Sequence, residues 1–181
     1  MKFLIIIFFL AIAACNNGNQ HRNHADHHTQ HAGDQTLADS LIIPGKQVGS
    51  AMVLERLQDS VLKTLGKADA TDAAMGKVLV TYFHPDSIDL FFAYRDTSMR
   101  EKDLKQITLR SGSYQTKDKV KLNSNLSQII KAYPKGKIKN VNGAQYYELL
   151  EDGISFGISN EMCKSIIIYK TNQAPNYNAR Y

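Results

Sequence analysis

The sequence predicts an α+β domain of two tandem units, each a helix followed by three strands of an antiparallel meander. Three observations lead there. Apolar residues recur at helical spacing twice, first at Val53, Leu54, Leu57, Val61, Leu62 and Leu65, then at Leu126, Ile129, Ile130 and Tyr133. Each helical stretch precedes short runs rich in β-branched and aromatic residues, the composition of strands. The two halves also read alike. Leu104-Lys105-Gln106-Ile107-Thr108-Leu109 parallels Cys163-Lys164-Ser165-Ile166-Ile167-Ile168, and Leu90-Phe91-Phe92-Ala93-Tyr94 parallels Ile154-Ser155-Phe156-Gly157-Ile158. One helix with one meander buries little, so two halves sharing a sheet or core is the physical expectation. The halves span about 48–110 and 116–170, within a domain over 44–171.

Each element has a local reason. Ser50 is placed to cap a helix over Ala51 to Leu65, and Gly66 to end it. Lys77 to Phe83, Ile88 to Tyr94 and Leu104 to Leu109 are the first three strands, the first two joined through His84-Pro85-Asp86-Ser87, which is turn chemistry. Asn123 or Ser124 can cap the second helix, and Pro134 stops it. Lys137 to Val141 is a short strand or a lead-in. Gln145 to Leu150 and Ile154 to Ile158 form a hairpin, entered through Asn142-Gly143 and turned at Asp152-Gly153. Cys163 to Tyr169 is the last strand. Thr171 to Tyr181 is polar and expected to fray.

The N-terminus carries an address. Lys2 precedes an unbroken apolar run, Phe3 to Ala14, which ends in Ile12-Ala13-Ala14-Cys15. As a helix, twelve residues span about 18 Å at ~1.5 Å each, against a bilayer core of roughly 30 Å, so a membrane span is not indicated. A charged start, a short apolar core and small residues describe a secretory signal. Ala11-Ile12-Ala13 permits an ordinary cut that leaves Cys15 as a thiol. The run Ile12-Ala13-Ala14-Cys15 resembles the lipobox of bacterial lipoproteins, and only that reading gives Cys15 a role. The resemblance implies cleavage before Cys15 and lipidation of that residue. It also implies a location in the cell envelope, anchored to a bacterial membrane, the outer membrane foremost. More than one acyl chain then gives stable anchoring, where a single chain holds only marginally.

Residues 15–43 read as a tether. Asn16-Asn17-Gly18-Asn19-Gln20 has nothing to bury. A flexible chain from Asn16 to Ile43 reaches roughly 30 Å on average. His21, His24, His27, His28 and His31 fall in this stretch. Imidazole is a good ligand for Zn, Cu and Ni, and His24/His28 and His27/His31 have a chelating spacing if the stretch turns helical. The alternative is a polar low-complexity spacer. The order His-Glu-x-x-His is absent, so a metalloprotease is not indicated.

Composition bounds the function further. Removing Met1–Ala14 leaves 167 residues, and loss of Lys2 lowers the formal charge from +5 to +4. With Cys15 lipidated, Cys163 has no partner in the chain and reads as a buried small hydrophobe. Arg95 to Lys139 holds twelve Lys/Arg against Asp96, Glu101, Asp103 and Asp118. Such a surface attracts anionic headgroups or an acidic partner; the alternative is an ordinary solvated face. Nucleic acid would use the same electrostatics, but the compartment argues against it. There is no Gly-x-Ser-x-Gly, no phosphate loop and no Cys cluster, so no enzyme is indicated. His84 with Asp86 and Asp89 is first a turn. Tyr146 and Tyr147 point to opposite sheet faces, one of them into the core.

Leu65-Gly66, Gly153-Ile154-Ser155-Phe156 and a Lys-x-Ile strand resemble repeats of the β-lactamase-inhibitor-protein type and the outer-membrane assembly lipoproteins of the BamE/SmpA type, over about Val48 to Tyr169. Ala68 stands where that pattern usually has Pro. The resemblance implies protein binding on a sheet face or loops, and no binding residue transfers. The expected function is therefore a lipid-anchored envelope protein whose non-catalytic domain binds another envelope protein or ligand. The alternative is a metal-binding lipoprotein working through the histidine tract.

Overall fold

The computed structural model describes residues 39–83 and 86–178, all within one compact unit. Strands β1 (Leu41–Ile43), β2 (Gln47–Val48) and β3 (Met52–Val53) come first. Helix α1 (Gln58–Leu65) follows, then β4 (Ala70–Ala74), β5 (Lys77–Tyr82), β6 (Ile88–Tyr94) and β7 (Lys102–Leu109). After β8 (Gln115–Thr116) the pattern recurs as α2 (Leu126–Ala132), β9 (Lys137–Val141), β10 (Ala144–Leu149), β11 (Ile154–Ser159) and β12 (Met162–Tyr169).

The fold class differs from the α+β expectation. The domain is mainly β, with an eight-stranded sheet ordered β4-β5-β6-β7-β12-β11-β10-β9 and a small sheet ordered β3-β2-β1-β8. Its two helices have 8 and 7 residues. Helix-plus-three-strand repeats do not form. Each half adds four strands to the large sheet, and every pairing in that sheet is antiparallel.

The differences have local causes. β4 reads Ala-Thr-Asp-Ala-Ala, is exposed throughout and has no apolar alternation. As an edge strand it needs none, because it gains only ladder bonds to β5. The first helix loses its predicted front half. Glu55 takes a left-handed turn at φ 63°, and its N–H reaches the Leu104 carbonyl at 2.8 Å while the Leu104 N–H reaches that of Arg56 at 3.0 Å. These bonds to β7 replace a helical turn, and Ser50 donates to Asp39 at 3.0 Å instead of capping. The second helix is capped by Asn125, one residue after Ser124 and two after Asn123, the expected caps. Its Oδ1 accepts from the Gln128 N–H at 2.8 Å, and Gln128 Oε1 accepts from the Asn125 N–H at 3.1 Å, a reciprocal box.

Strand order in the large sheet reads the same from either edge, with β7 and β12 at its centre. Register carries the same symmetry. Thr108 faces Ile167, flanked by Ile107 opposite Ile168 and Leu109 opposite Ile166. Ile88↔Leu109 and Ile154↔Ile168 are equivalent pairs in the two meanders. The ladder slips in both at one place, after Phe91 and after Gly157, leaving Lys105 and Lys164 as the extra residues. Because of that slip Leu104 and Ile107 share one face, as do Cys163 and Ile166. Met75-Gly76 and Asn142-Gly143 both turn with two positive φ values, closing equivalent hairpins.

One sheet face builds the core. Leu90, Phe92, Leu104, Ile107, Leu109, Phe156, Ile166 and Ile168 are fully buried there, together with Val61 of α1, Ile129 of α2, and Ile42, Val48 and Met52 of the small sheet. β1 lies inside the stretch assigned to the tether, and it pairs in parallel with β8.

Two glycines share a φ class but differ in surroundings. A Cβ on Gly153 (φ 72°) would meet the Tyr169 carbonyl oxygen at 2.3 Å and Gly45 Cα at 2.7 Å, whereas one on Gly143 (φ 80°) meets nothing. Gly143→Ala is expected to cost about 1 kcal/mol. Gly153→Ala is expected to cost at least about 3 kcal/mol, because backbone must also move. Denaturant midpoints of the two variants against the parent check the difference.

Candidate binding surfaces

Cys15, His21, His24, His27, His28, His31 and His84 lie outside the described residues. The carboxylates near His84 are taken up separately. Asp89 is buried and accepts from Arg110 Nε at 3.0 Å, Arg110 Nη2 at 2.8 Å and Thr81 Oγ1 at 2.9 Å. Asp86 lies beside Tyr114, whose phenol is pushed up to about 12, first by burial and then by that carboxylate. Among the described residues no group of three or more His, Cys, Asp and Glu is arranged to hold a metal. Cys163 is buried, and burial pushes its thiol up to about 12.

The outer face of the large sheet is mixed, with Gln106, Thr108, Ser155 and Ser165 beside Ile167 and a small apolar pair, Leu79 and Phe91. Tyr147 points into the core, and its hydroxyl donates to the Tyr133 carbonyl at 2.6 Å. Tyr146 points the other way and meets Tyr177, ring centroids 4.1 Å apart. The segment after β12, expected to fray, runs across this face. The Asn176 N–H donates to Gln106 Oε1 at 2.8 Å, and Gln106 Nε2 donates to the Asn176 carbonyl at 3.1 Å. The Tyr177 hydroxyl donates to Glu148 Oε1 at 2.6 Å, and burial with that carboxylate raises its pKa. Pro175, within the same segment, is buried. The sequence gives little sign of this strap, since Asn-Tyr-Asn has no periodicity and its partners are distant.

The second half of the basic stretch lies on α2 and its flanking connections. Between β8 and α2 the Thr116 carbonyl accepts from the Lys119 N–H and the Val120 carbonyl from the Thr116 N–H, both at 2.9 Å. Val120 is buried, so its neighbours Lys119 and Lys121 face outward. The Asn123 N–H reaches the Cys163 carbonyl at 2.8 Å, and the Cys163 N–H reaches that of Ser124 at 2.9 Å, fastening the loop to β12. Lys164 donates to Asn123 Oδ1 at 3.1 Å. Lys117, Lys119, Lys121, Lys131, Lys135 and Lys137 are exposed, and among the described residues none has a carboxylate within 4.0 Å. In the other half of the stretch Arg95, Lys105 and Arg110 each have a carboxylate within 4.0 Å, whereas Arg100 and Lys102, among the described residues, do not. Arg95 binds Asp103 at 2.9 Å and Glu101 at 2.8 Å.

A concavity of about 480 Å³ is lined by Lys119, Lys121 and Lys131, with Asp118 as its one carboxylate. Beside it, about 710 Å³ opens between Arg110, Lys121 and Lys164. Comparison of the chain with family models, with curated proteins and with solved structures finds no match.

Asp103 supplies a stability test. Hydrogen bonds from Arg95 hold its carboxyl below the usual range, with Lys105 adding to the effect. A lowered folded pKa gives stability that is full above the ordinary value and fades as pH falls through the folded one. Asp103→Asn is expected to cost about 1–2 kcal/mol at neutral pH. The gap between parent and variant is expected to narrow as pH falls below the ordinary carboxylate value of about 3.9. Thermal melts from neutral to acid pH measure the gap.

Proposed function

We propose that the chain is a lipid-anchored cell-envelope protein whose folded domain binds another envelope protein or ligand through its basic side, without catalysis. The observation that carries this reading is the set of exposed lysines on and before α2, Lys117, Lys119, Lys121 and Lys131, none of which has a carboxylate within 4.0 Å among the described residues. Charges left unneutralised on a surface lengthen attraction to an acidic partner, out to about a Debye length of ~10 Å. The outer sheet face is the weaker candidate, because the strap already occupies part of it. The lipobox-like Cys15 supports the address, and lipid on that residue is the membrane attachment in this reading.

A second reading is a metal-binding lipoprotein, favoured by the five histidines between His21 and His31. It assigns Zn, Cu or Ni to the tract and leaves the domain as support. One experiment separates the two. The full chain, a variant lacking 21–31 and the variant K119E/K121E/K131E are used for pull-downs from envelope membranes, with zinc measured on each. The first reading expects the tract deletion to keep its partner and the charge reversal to lose about 90% of it, as a tenfold loss of affinity implies for a weakly held partner. Zinc held only by chains with the tract, with no partner on any, supports the second. A partner retained by the charge-reversed chain rules out the basic side.

A further inference from the structure

We infer that the basic side is a groove for a linear acidic polysaccharide, one bearing carboxylate or phosphate groups on its sugars. This rests on the proposed binding role of that side and names its ligand.

The argument begins with shape. The concavity against α2 and the larger one beside it share Lys121 and Asn123. The second also shares Arg110 with a third, about 430 Å³, on the outer sheet face beside the strap. Cations from four separate parts of the chain thus border one run of adjoining hollows: Arg110 at the end of β7, Lys119 and Lys121 in the connection, Lys131 in α2 and Lys164 in β12. Asp118 is the one carboxylate in the three walls, and Arg110 is the one of these cations paired with a carboxylate, the buried Asp89 at 2.8 Å. A single extended chain can enter such a run. A flat bilayer surface would meet only its rim.

Chemistry narrows the chain. Four of the five cations are lysines, point charges on flexible stems that tolerate anions at varied spacing. Between them the walls offer hydroxyls and amides, among them Ser113, Gln115, Asn123 and Gln128, which suit sugar hydroxyls. The third hollow adds the hydroxyls of Thr108 and Ser165 and the amides of Asn176 and Asn178. Single-stranded nucleic acid is usually held by aromatic platforms beside a basic groove. The walls of the two lysine-bearing hollows carry no aromatic side chain, and the two tyrosines of the third, Tyr146 and Tyr177, lie against each other with ring centroids 4.1 Å apart.

The test uses the full chain in nanodiscs of neutral lipid, titrated with polygalacturonate, a phosphorylated dextran, neutral dextran and polyglutamate. Free anionic vesicles form a fifth arm. Polygalacturonate or the phosphorylated dextran should bind, and the arm that binds tells carboxylate from phosphate. Neutral dextran should not bind. K119E/K121E/K131E should weaken binding at least about tenfold, and the neutral set K119Q/K121Q/K131Q should weaken it less. Ser113→Ala with Gln115→Ala should weaken polysaccharide about threefold, as loss of hydrogen bonds worth about 0.7 kcal/mol would. The same pair should leave any polyglutamate binding unchanged, a readout that charge alone would not move. Equal affinity for polyglutamate or the vesicles overturns the assignment, as does full binding by the charge-reversed chain. If neither acidic polysaccharide binds while charge reversal still abolishes pull-down of an envelope protein, the polysaccharide assignment falls and the proposed binding role stands.

Discussion

The antiparallel pairing of β7 with β12 is the contact on which the rest of the domain depends. It joins two four-stranded meanders into one sheet, and it does so at the rows that carry the most apolar surface. Ile107, Leu109, Ile166 and Ile168 lie side by side across that junction, all fully buried. Without it, each meander would end in a long apolar strand with open ladder groups, the kind of edge that invites aggregation. The outer edges, β4 and β9, are built differently. β4 is exposed along its length, and β9 carries Lys137 and Lys139. The chain places apolar strands where they are covered and polar ones where they end the sheet.

The same junction decides what was legible in the sequence. β5, β6, β10, β11 and β12 read well, because each has its own alternating apolar set and a turn signal such as Asn142-Gly143. Likeness between residues 104–109 and 163–168 holds in detail, down to the slipped lysine in each. The likeness drawn for the preceding strands is offset by two residues, since Leu90 is equivalent to Phe156 in the ladder. The small sheet was not legible. Its strands are two or three residues long, and β1 finds β8 across more than seventy residues of chain. No local pattern encodes such a pairing. Helix α1 starts later than its apolar spacing predicts because Val53 and Leu54 continue the spacing of Leu57 and Val61 although Val53 ends β3 and Leu54 lies in the turn after it.

Symmetry in the frame makes the asymmetry informative. Val61 and Ile129 occupy matching helical positions, and Lys63 and Lys131 both stand in the last turn, where a cation complements the helix dipole. Lys131 therefore has a structural reason to exist. The turn bearing Lys117, Lys119 and Lys121 has none of that kind. Lys119 even adopts φ 61°, a conformation that a non-glycine residue takes at some cost. The strap is the other departure from symmetry. It covers Tyr146 and Ser155 in the second half, while the matching face of the first half keeps a small apolar pair, Leu79 and Phe91.

These two departures meet at Arg110. Its guanidinium is held by Asp89 at the end of β7, between the strap-lined hollow and the lysine-lined one. Sequence alone could find the lysines, because a charge run survives any fold. It could not find that Arg110 and Lys164, more than fifty residues apart, close the same side. That follows from β7 and β12 being neighbours, which puts their ends together beside the loop that Asn123 fastens to β12. The pairing that completes the core thus also assembles the basic side, and a change that loosened β7 from β12 would cost both.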